Sequence, residues 1–516
     1  MLYNNPILPG FYPDPSICKV KNTYYLINST FEYLPGIPIF QSTDLIHWSQ
    51  IGHCITRDSQ INIRNCRCSG GIFAPTLRHH NGTFYMITTD IEKGTFILTT
   101  DDITSEWSDP LLISCEGYDP SLYFENDRTY LQISARDEMG YGVYQAELDI
   151  TTGNLLSSFQ LLWRGTGGRD PEGPHIFSRN GYYYLNIAEG GTREGHMITL
   201  ARSKNLWGPF ESCPHNPVLT NREEPEIPLQ AVGHADYFTD IDGNWWLVAL
   251  CQRPLEHFFH HLGRETILVP LTWQDDWPDI GINGHVYPQM EGPLPAISTP
   301  ISAGIVPVDF DTFDDFNESS LPHHLFFMRS FLQDHYSLKN RPGWLQLTSN
   351  ENSLNTLASP AFVLRRQQHF YCSFKAKMEF NPDTFGEAGL CVYYDNAHHF
   401  ELGIKKINTI TTLFVRKNVA DICVITNTIP FAADVPNSST IYLEVRATPT
   451  QYYFCYGYNE DCCNELDHTV TKHLSTESAY SDFVGVCCGM YAVSTCPDHP
   501  AQVYFDWFSY TGKEPS

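Results

Sequence analysis

Short runs in which apolar and polar residues alternate, each preceded by a turn, organise the first part of the chain. Five copies stand out: Lys-Asn-Thr-Tyr-Tyr-Leu-Ile-Asn-Ser (21–29), Asn-Gly-Thr-Phe-Tyr-Met-Ile-Thr-Thr (81–89), Asn-Asp-Arg-Thr-Tyr-Leu-Gln-Ile-Ser (126–134), Asn-Gly-Tyr-Tyr-Tyr-Leu-Asn-Ile-Ala (180–188) and Asp-Gly-Asn-Trp-Trp-Leu-Val-Ala-Leu (242–250). Asn-Gly and Asp-Gly ahead of alternating apolar residues are strong hairpin signals, because these residues accept the left-handed backbone of a tight turn. A second strand often follows and ends in an aromatic corner, as in Ile39 to Trp48, Ile97 to Trp107 and Ile198 to Trp207. The spacing predicts a small antiparallel sheet every 45 to 60 residues or so, about the period of a propeller blade. Five units predict a five-bladed β-propeller over residues 1–300. A plain β-sandwich or a longer meander is the alternative reading of the same strands.

The pattern changes near residue 290. Glu291-Gly-Pro-Leu-Pro-Ala-Ile-Ser-Thr-Pro300 is proline-rich and lacks periodicity, which suits a linker or strap. From Phe310 the strands no longer follow the blade repeat. Leu345 to Thr348, Phe370 to Met378, Ala388 to Tyr394, Phe400 to Ile404, Ile441 to Ala447 and Gln502 to Tyr510 alternate in the manner of a two-sheet antiparallel sandwich. The fold class read from the pattern is all-β: a propeller over 1–300 and a sandwich over 301–516. No long amphipathic helix is legible.

Composition adds constraints. The chain has 516 residues, too many for one ordinary core. Aromatic residues make up 14 %, which fits β-structure and also sugar binding, where flat rings stack on pyranose faces. The formal net charge of −27 argues against nucleic acid and anionic membranes as partners, since both would be repelled. The chain opens Met-Leu-Tyr-Asn-Asn-Pro, without the basic and apolar stretches of a signal peptide, so a cytoplasmic protein is expected. No apolar run is long enough to span a membrane. The 16 cysteines include Cys66-x-Cys68, Cys462-Cys463 and Cys487-Cys488. None has the spacing of a zinc site, and buried free thiols are expected. Asn28, Asn81, Asn317 and Asn437 fit the glycosylation sequon, which matters only for a secreted chain.

The chemistry concentrates in stiff loops ahead of the predicted blades. Pro13-Asp14-Pro15-Ser16 holds one carboxylate between two prolines, which fix the backbone and remove amide donors. Alone it also reads as a simple Asp-Pro turn. The device recurs as Tyr118-Asp119-Pro120-Ser121 and as Arg169-Asp170-Pro171-Glu172-Gly173-Pro174-His175. In a propeller, equivalent blade positions converge on the axis, so three distant carboxylates would meet at one mouth of the channel. Like charges at short range cannot all stay ionised, and a raised acid beside an ionised base is what glycoside hydrolysis needs. His234, in Gly-His-Ala-Asp, reads equally as a ligand for a hydroxyl or cation and as a hydrogen-bonded core residue. Arg264, beside Glu265, reads as a fork for a carboxylate or hydroxyl, or as half of a salt bridge with Glu265. Phe31 and Phe73 could wall a sugar site or simply fill core.

The run Asn5 to Ser16 and the segment Ser29-Thr-Phe-Glu-Tyr-Leu-Pro-Gly-Ile-Pro-Ile39 resemble glycoside hydrolase family 43, in particular its two-domain β-xylosidases. The likeness continues through Ser69 to Thr76, Tyr118 to Ser121, Gly165 to Gly168, Glu172 to His175, Gly190 to Thr192 with Gly195-His-Met197, Gly233 to Asp236 and Gly263 to Thr266. Ser359 to Phe362 and Arg365 to His369 resemble the family's C-terminal sandwich, which is concanavalin-like. The resemblance implies that Asp14 is a general base, Glu172 a general acid, and Asp119 the residue that raises and orients the acid. It implies that Arg264 binds at the catalytic subsite, with Phe31, Phe73 and His234 around it. No cofactor would be required; in relatives a water-coordinated cation, often calcium, lies on the propeller axis, and His234 would be the residue near it. It further implies inversion, and a sandwich loop that closes the pocket so that sugars leave from chain ends. Two departures are visible: Phe73 stands where relatives usually carry Trp, and Asp170 adds an acid beside Glu172.

These readings converge on an exo-acting β-1,4-xylosidase acting on xylo-oligosaccharides, compatible with a homo-oligomer. An α-L-arabinofuranosidase, or an enzyme with both activities, is the nearest rival. A non-catalytic sugar-binding propeller is the rival from another class, and the carboxylate trio argues against it.

Overall fold

The computed structural model describes residues 1–295, 310–431, 440–460, 464–479 and 481–513. The end of the proline-rich segment, the expected boundary at 300/301, Asn437 and Cys462-Cys463 lie outside the described residues.

Each predicted repeat forms a four-stranded antiparallel sheet in simple up-and-down order. The first sheet runs Ser16–Val20, Thr23–Ile27, Gly36–Ser42, Ser49–Ile55. The innermost strands of the five sheets are Ser16–Val20, Thr76–His80, Tyr118–Glu125, Glu172–Arg179 and Gln230–Thr239. They touch in cyclic order, and the fifth meets the first, so the sheets form a closed five-bladed propeller. The turn-plus-aromatic repeats bury Tyr24, Phe84, Tyr130, Tyr184 and Trp246. Truncating one such ring costs about 3–5 kcal/mol, which is why the aromatic pattern is so regular. The start of the chain secures the ring. Leu2–Asn4 pairs antiparallel with Gln289–Glu291, and the Tyr3 hydroxyl and Asn5 amide both donate to the Leu268 carbonyl of the fifth blade.

The second half packs two antiparallel sheets face to face. An eight-stranded sheet centres on Tyr371–Glu379 and Gln502–Lys513; a six-stranded sheet includes Ala361–Arg366, Cys487–Ser494 and Gly386–Asp395. Alternation along Tyr371–Glu379 turns Phe374, Ala376 and Met378 inward against Leu390, Leu402 and Met490 of the other sheet. The one α-helix among the described residues is the single turn Thr476–Ala479. All described cysteines are free thiols, and Cys487 and Cys488 are buried as small apolar residues.

The halves share a seam that runs directly behind the Asp14 loop. Phe327–Met328 pairs with Tyr33–Leu34 as a two-stranded sheet. Beside it the fully buried Arg329 and Glu32 lie 3.8 Å apart, and the Arg329 amide donates to the Glu32 carbonyl at 2.8 Å. Arg366 Nε donates to Phe11 O at 2.7 Å, and Gln368 Nε2 to Pro9 O at 3.2 Å. Gly10 has φ +87°, and a Cβ there would sit 2.7 Å from the Gln367 carbonyl oxygen. Only glycine supplies both that backbone and that clearance.

Gly10→Ala should therefore lower stability by about 1–3 kcal/mol, from the strained φ plus displacement of the 366–368 segment. Chemical denaturation checks the loss, and a variant as stable as the parent would mean the seam is looser than described.

Candidate active site

The stiff loops share one backbone device. Asp14, Asp119, Gly173 and His234 all have left-handed φ, between 50° and 56°. Each stands two residues before the point where its inner strand pairs regularly, at Ser16, Ser121, His175 and Asp236. In the last three blades the ladder is irregular there, as at a β-bulge, which re-aims side chains. Left-handed φ at a non-glycine residue costs about 1–3 kcal/mol, and such strain collects at functional sites.

This alters one expectation. Asp14 and Asp119 do occupy equivalent blade positions, but Glu172 does not: its blade has Gly173 at that place. A Cβ at Gly173 would meet the His234 ring at 3.0 Å, so the acidic side chain comes from the residue before. The second blade has Ala74 there and adds no charge.

Asp14 is buried. Arg264 grips it with a fork, Nη1 to Oδ1 at 2.9 Å and Nη2 to Oδ2 at 3.3 Å. The Ser29 hydroxyl donates to Oδ2 at 2.5 Å, and His234 Nδ1 lies 3.6 Å from Oδ1. Burial alone would raise this carboxyl; Arg264, His234 and Ser29 together outweigh it and hold the group below the ordinary aspartate value. The alternative reading, an Arg264–Glu265 pair, does not form. Glu265 is taken by Arg253, at 2.6 Å, and by the Gly10 amide, also at 2.6 Å. That leaves Arg264 free for Asp14.

The other two carboxyls behave oppositely. Burial and the Asp14 charge push Asp119 up to about 6, against the pull of His234. Its Oδ2 accepts from the Gly173 amide at 3.2 Å, which ties the third blade to the fourth beside Glu172. Glu172 is raised well above the ordinary value, first by burial and then by the charges of Asp119 and Asp14. Asp170 also raises it, as the sequence suggested, but is the smallest contributor named and is itself paired with Arg169 at 2.7 Å. The loop before Glu172 is pinned from below: Glu189 accepts from the amides of Thr166 and Gly168 and from the Thr199 hydroxyl.

Asp14, Asp119, Glu172, His234, Arg264, Phe31 and Phe73 all line one cavity of about 250 Å³, small for a ligand pocket. Every site residue expected from the sequence is thus brought together. Ala74 and Asp170 also line it, and Arg67, Ile91, Tyr118 and Phe483, whose place in the wall was not legible beforehand, complete it. Phe483 comes from the second half of the chain. It stacks on Phe31 at 5.2 Å and 18°, meets Phe73 edge-on at 5.8 Å, and lies 4.7 Å from the Arg264 guanidinium carbon. Its loop is held by a hydrogen bond from the Phe483 backbone amide to the Ser69 hydroxyl and by the neighbouring Asp482–Arg193 pair at 2.6 Å. Phe73 packs edge-on against Phe31 at 5.2 Å.

Deeper in the channel, Arg78 of the second blade bonds Asp236 of the fifth at 2.8 Å and His175 of the fourth at 2.9 Å, and Ser16 of the first also donates to Asp236. A guanidinium therefore fills the centre of the ring. Among the described residues no cluster of three or more His, Cys, Asp or Glu is arranged to hold a metal ion. This lining does not fit a directly ligated cation beside His234.

Residues 3–278 match the model of glycosyl hydrolases family 43. The chain belongs to that family. Residues 313–511 match its β-xylosidase C-terminal concanavalin A-like domain. Among family 43 relatives, the non-reducing end α-L-arabinofuranosidase BoGH43B of Bacteroides ovatus is 37 % identical, over 98 % of this chain and 94 % of that protein. The β-xylosidase of Bacillus subtilis is 32 % identical, over 99 % of this chain and 100 % of its own. The crystal structure of a xylan β-1,4-xylosidase from Bacillus halodurans superposes with a TM-score of 0.91 at 33 % identity, covering 98 % and 99 % of the two chains.

The shifted acids carry a stability consequence. Asp119 goes from 3.8 to about 6 on folding, so it weighs nothing against the fold in acid and its burden grows as pH rises from about 4 through 6. At pH 7 Asp119→Asn, which keeps an acceptor for the Gly173 amide, should stabilise the protein by about 1–3 kcal/mol while lowering activity. Chemical denaturation at pH 7 and at pH 4 checks this: the gain should shrink at pH 4, and a gain equal at both would contradict it.

Proposed function

We propose that this family 43 hydrolase is an exo-acting, inverting β-1,4-xylosidase. Asp14 is the general base, Glu172 the general acid, and Asp119 the group that keeps Glu172 protonated. The observation that carries the reading is the split in proton affinity within one pocket: an ionised Asp14 held by Arg264, and a protonated Glu172 crowded by two carboxylates. Water attacks the anomeric carbon and gives its proton to Asp14. The glycosidic C–O bond breaks, and the leaving oxygen takes the proton of Glu172. Inversion needs room for that water, about 6.5–9.5 Å between the carboxyls, and placing base and acid on the first and fourth blades supports such a gap. The small cavity capped by Phe483 supports removal of single terminal sugars.

The second reading is α-L-arabinofuranosidase, or both activities in one pocket. It is favoured by the 37 % identity to the Bacteroides enzyme; the β-xylosidase type of the C-terminal domain favours the first.

Paired nitrophenyl xyloside and arabinofuranoside substrates separate the two, with the higher kcat/KM expected on the xyloside. Glu172→Ala should lose about 10²–10⁴-fold on an alkyl glycoside, whose leaving group needs a proton, and far less on a nitrophenyl glycoside. Equal losses on both would refute Glu172 as the acid. A folded Glu172→Ala variant with no loss on either would refute the mechanism.

A further inference from the structure

His196 takes no part in the proton transfers of Asp14 and Glu172. It sits in Gly195-His196-Met197, where the third strand of the fourth blade, Met197–Ser203, begins. The ring is 1 % exposed. Its Nδ1 lies 3.1 Å from the carbonyl oxygen of Ala231. A carbonyl can only accept, so Nδ1 carries the proton and donates it. Burial and the neighbouring His234 and Arg264 bring this imidazole down to about 3, so the ring is neutral at ordinary pH. A neutral ring protonated at Nδ1 has a bare lone pair at Nε2.

That Nε2 is buried without a hydrogen-bond partner, and it lies 3.9 Å from Oε1 of Glu172. Leaving a buried acceptor unmet is costly, so its placement calls for a cause. The ring orientation is also enforced: a Cβ on Gly233 would overlap the imidazole, and only the glycine beside His234 admits it. Closing the remaining gap takes a rotation of the Glu172 side chain, and catalytic hydrogen bonds commonly tighten only once substrate is bound.

We propose that His196 is a positioning residue for Glu172: its Nε2 accepts a hydrogen bond from the protonated Glu172 carboxyl and holds the acid's proton in place until the leaving oxygen takes it. This rests on Glu172 being the general acid. The other groups acting on Glu172 are Asp119, Asp14, Asp170 and Arg264, with Tyr118 alongside. His196 itself feels His234, Arg264 and Asp14. Among these, the orphaned Nε2 is the group whose hydrogen-bonding capacity is satisfied only by a protonated partner.

An acceptor for the acid's proton favours the protonated form. Removing it lets Glu172 ionise at lower pH, so the alkaline limb of kcat/KM moves down. The test compares His196→Phe, which keeps a ring but no acceptor, with His196→Gln, which restores one, using methyl and nitrophenyl glycosides of the preferred pentose. For the Phe variant the alkaline limb should fall by about half to one pH unit, with about tenfold loss on the methyl glycoside and little on the nitrophenyl glycoside. The Gln variant should recover most of both. A Phe variant with parental thermal unfolding and an unmoved alkaline limb overturns the inference. If the Phe variant does not fold, ¹⁵N NMR of the wild-type imidazole decides: a proton on Nδ1 and none on Nε2 is required, and the opposite tautomer overturns the inference. Failure of Glu172 as the acid would be seen separately, as undiminished activity of Glu172→Ala.

Discussion

Three carboxyl groups and one guanidinium share a buried pocket in which all three acids cannot be ionised together. The arrangement resolves this by geometry. Arg264 spends its fork on Asp14 alone, so Asp14 keeps its charge and Asp119 and Glu172 absorb the repulsion. Everything that fixes Arg264 therefore fixes the chemistry. Arg253 removes Glu265 as a competitor, and the rings of Phe31 and Phe483 flank the guanidinium.

The propeller supplies convergence, and the second half of the chain supplies closure and stiffness. A left-handed residue two places ahead of regular pairing recurs in four of the five blades, and in the first, third and fifth it brings Asp14, Asp119 and His234 to one cavity. The sandwich then holds the base loop through Arg366 and Gln368 and inserts Phe483 as a wall. A base that must hold one water in line gains from a backbone fixed on both sides. The pocket is thus a product of both halves.

Much of this was legible in the sequence because it is written locally. Turn-plus-aromatic repeats marked all five blades, and proline-flanked acids marked Asp14 and Asp119. What was not legible depends on contacts between distant segments. Arg264 read either as a fork or as half of a pair with Glu265, and the choice rests on Arg253, just past the neighbouring strand, which takes Glu265. Glu172 was assigned a blade position that Gly173 holds, because the His234 ring leaves no room there for a side chain. Phe483 lies in an aperiodic stretch, and only the folded seam brings it to Phe31. His196 was a lone histidine until its ring met Gly233 and faced Glu172.

The account stands or falls on two carboxyls acting from opposite sides of the sugar. Proton NMR of the xylose first released from nitrophenyl β-xyloside, recorded within seconds of mixing, tests this directly, because every sugar then comes from the attacked ring. The account predicts that α-xylose appears first and then mutarotates. Initial release of β-xylose would contradict it.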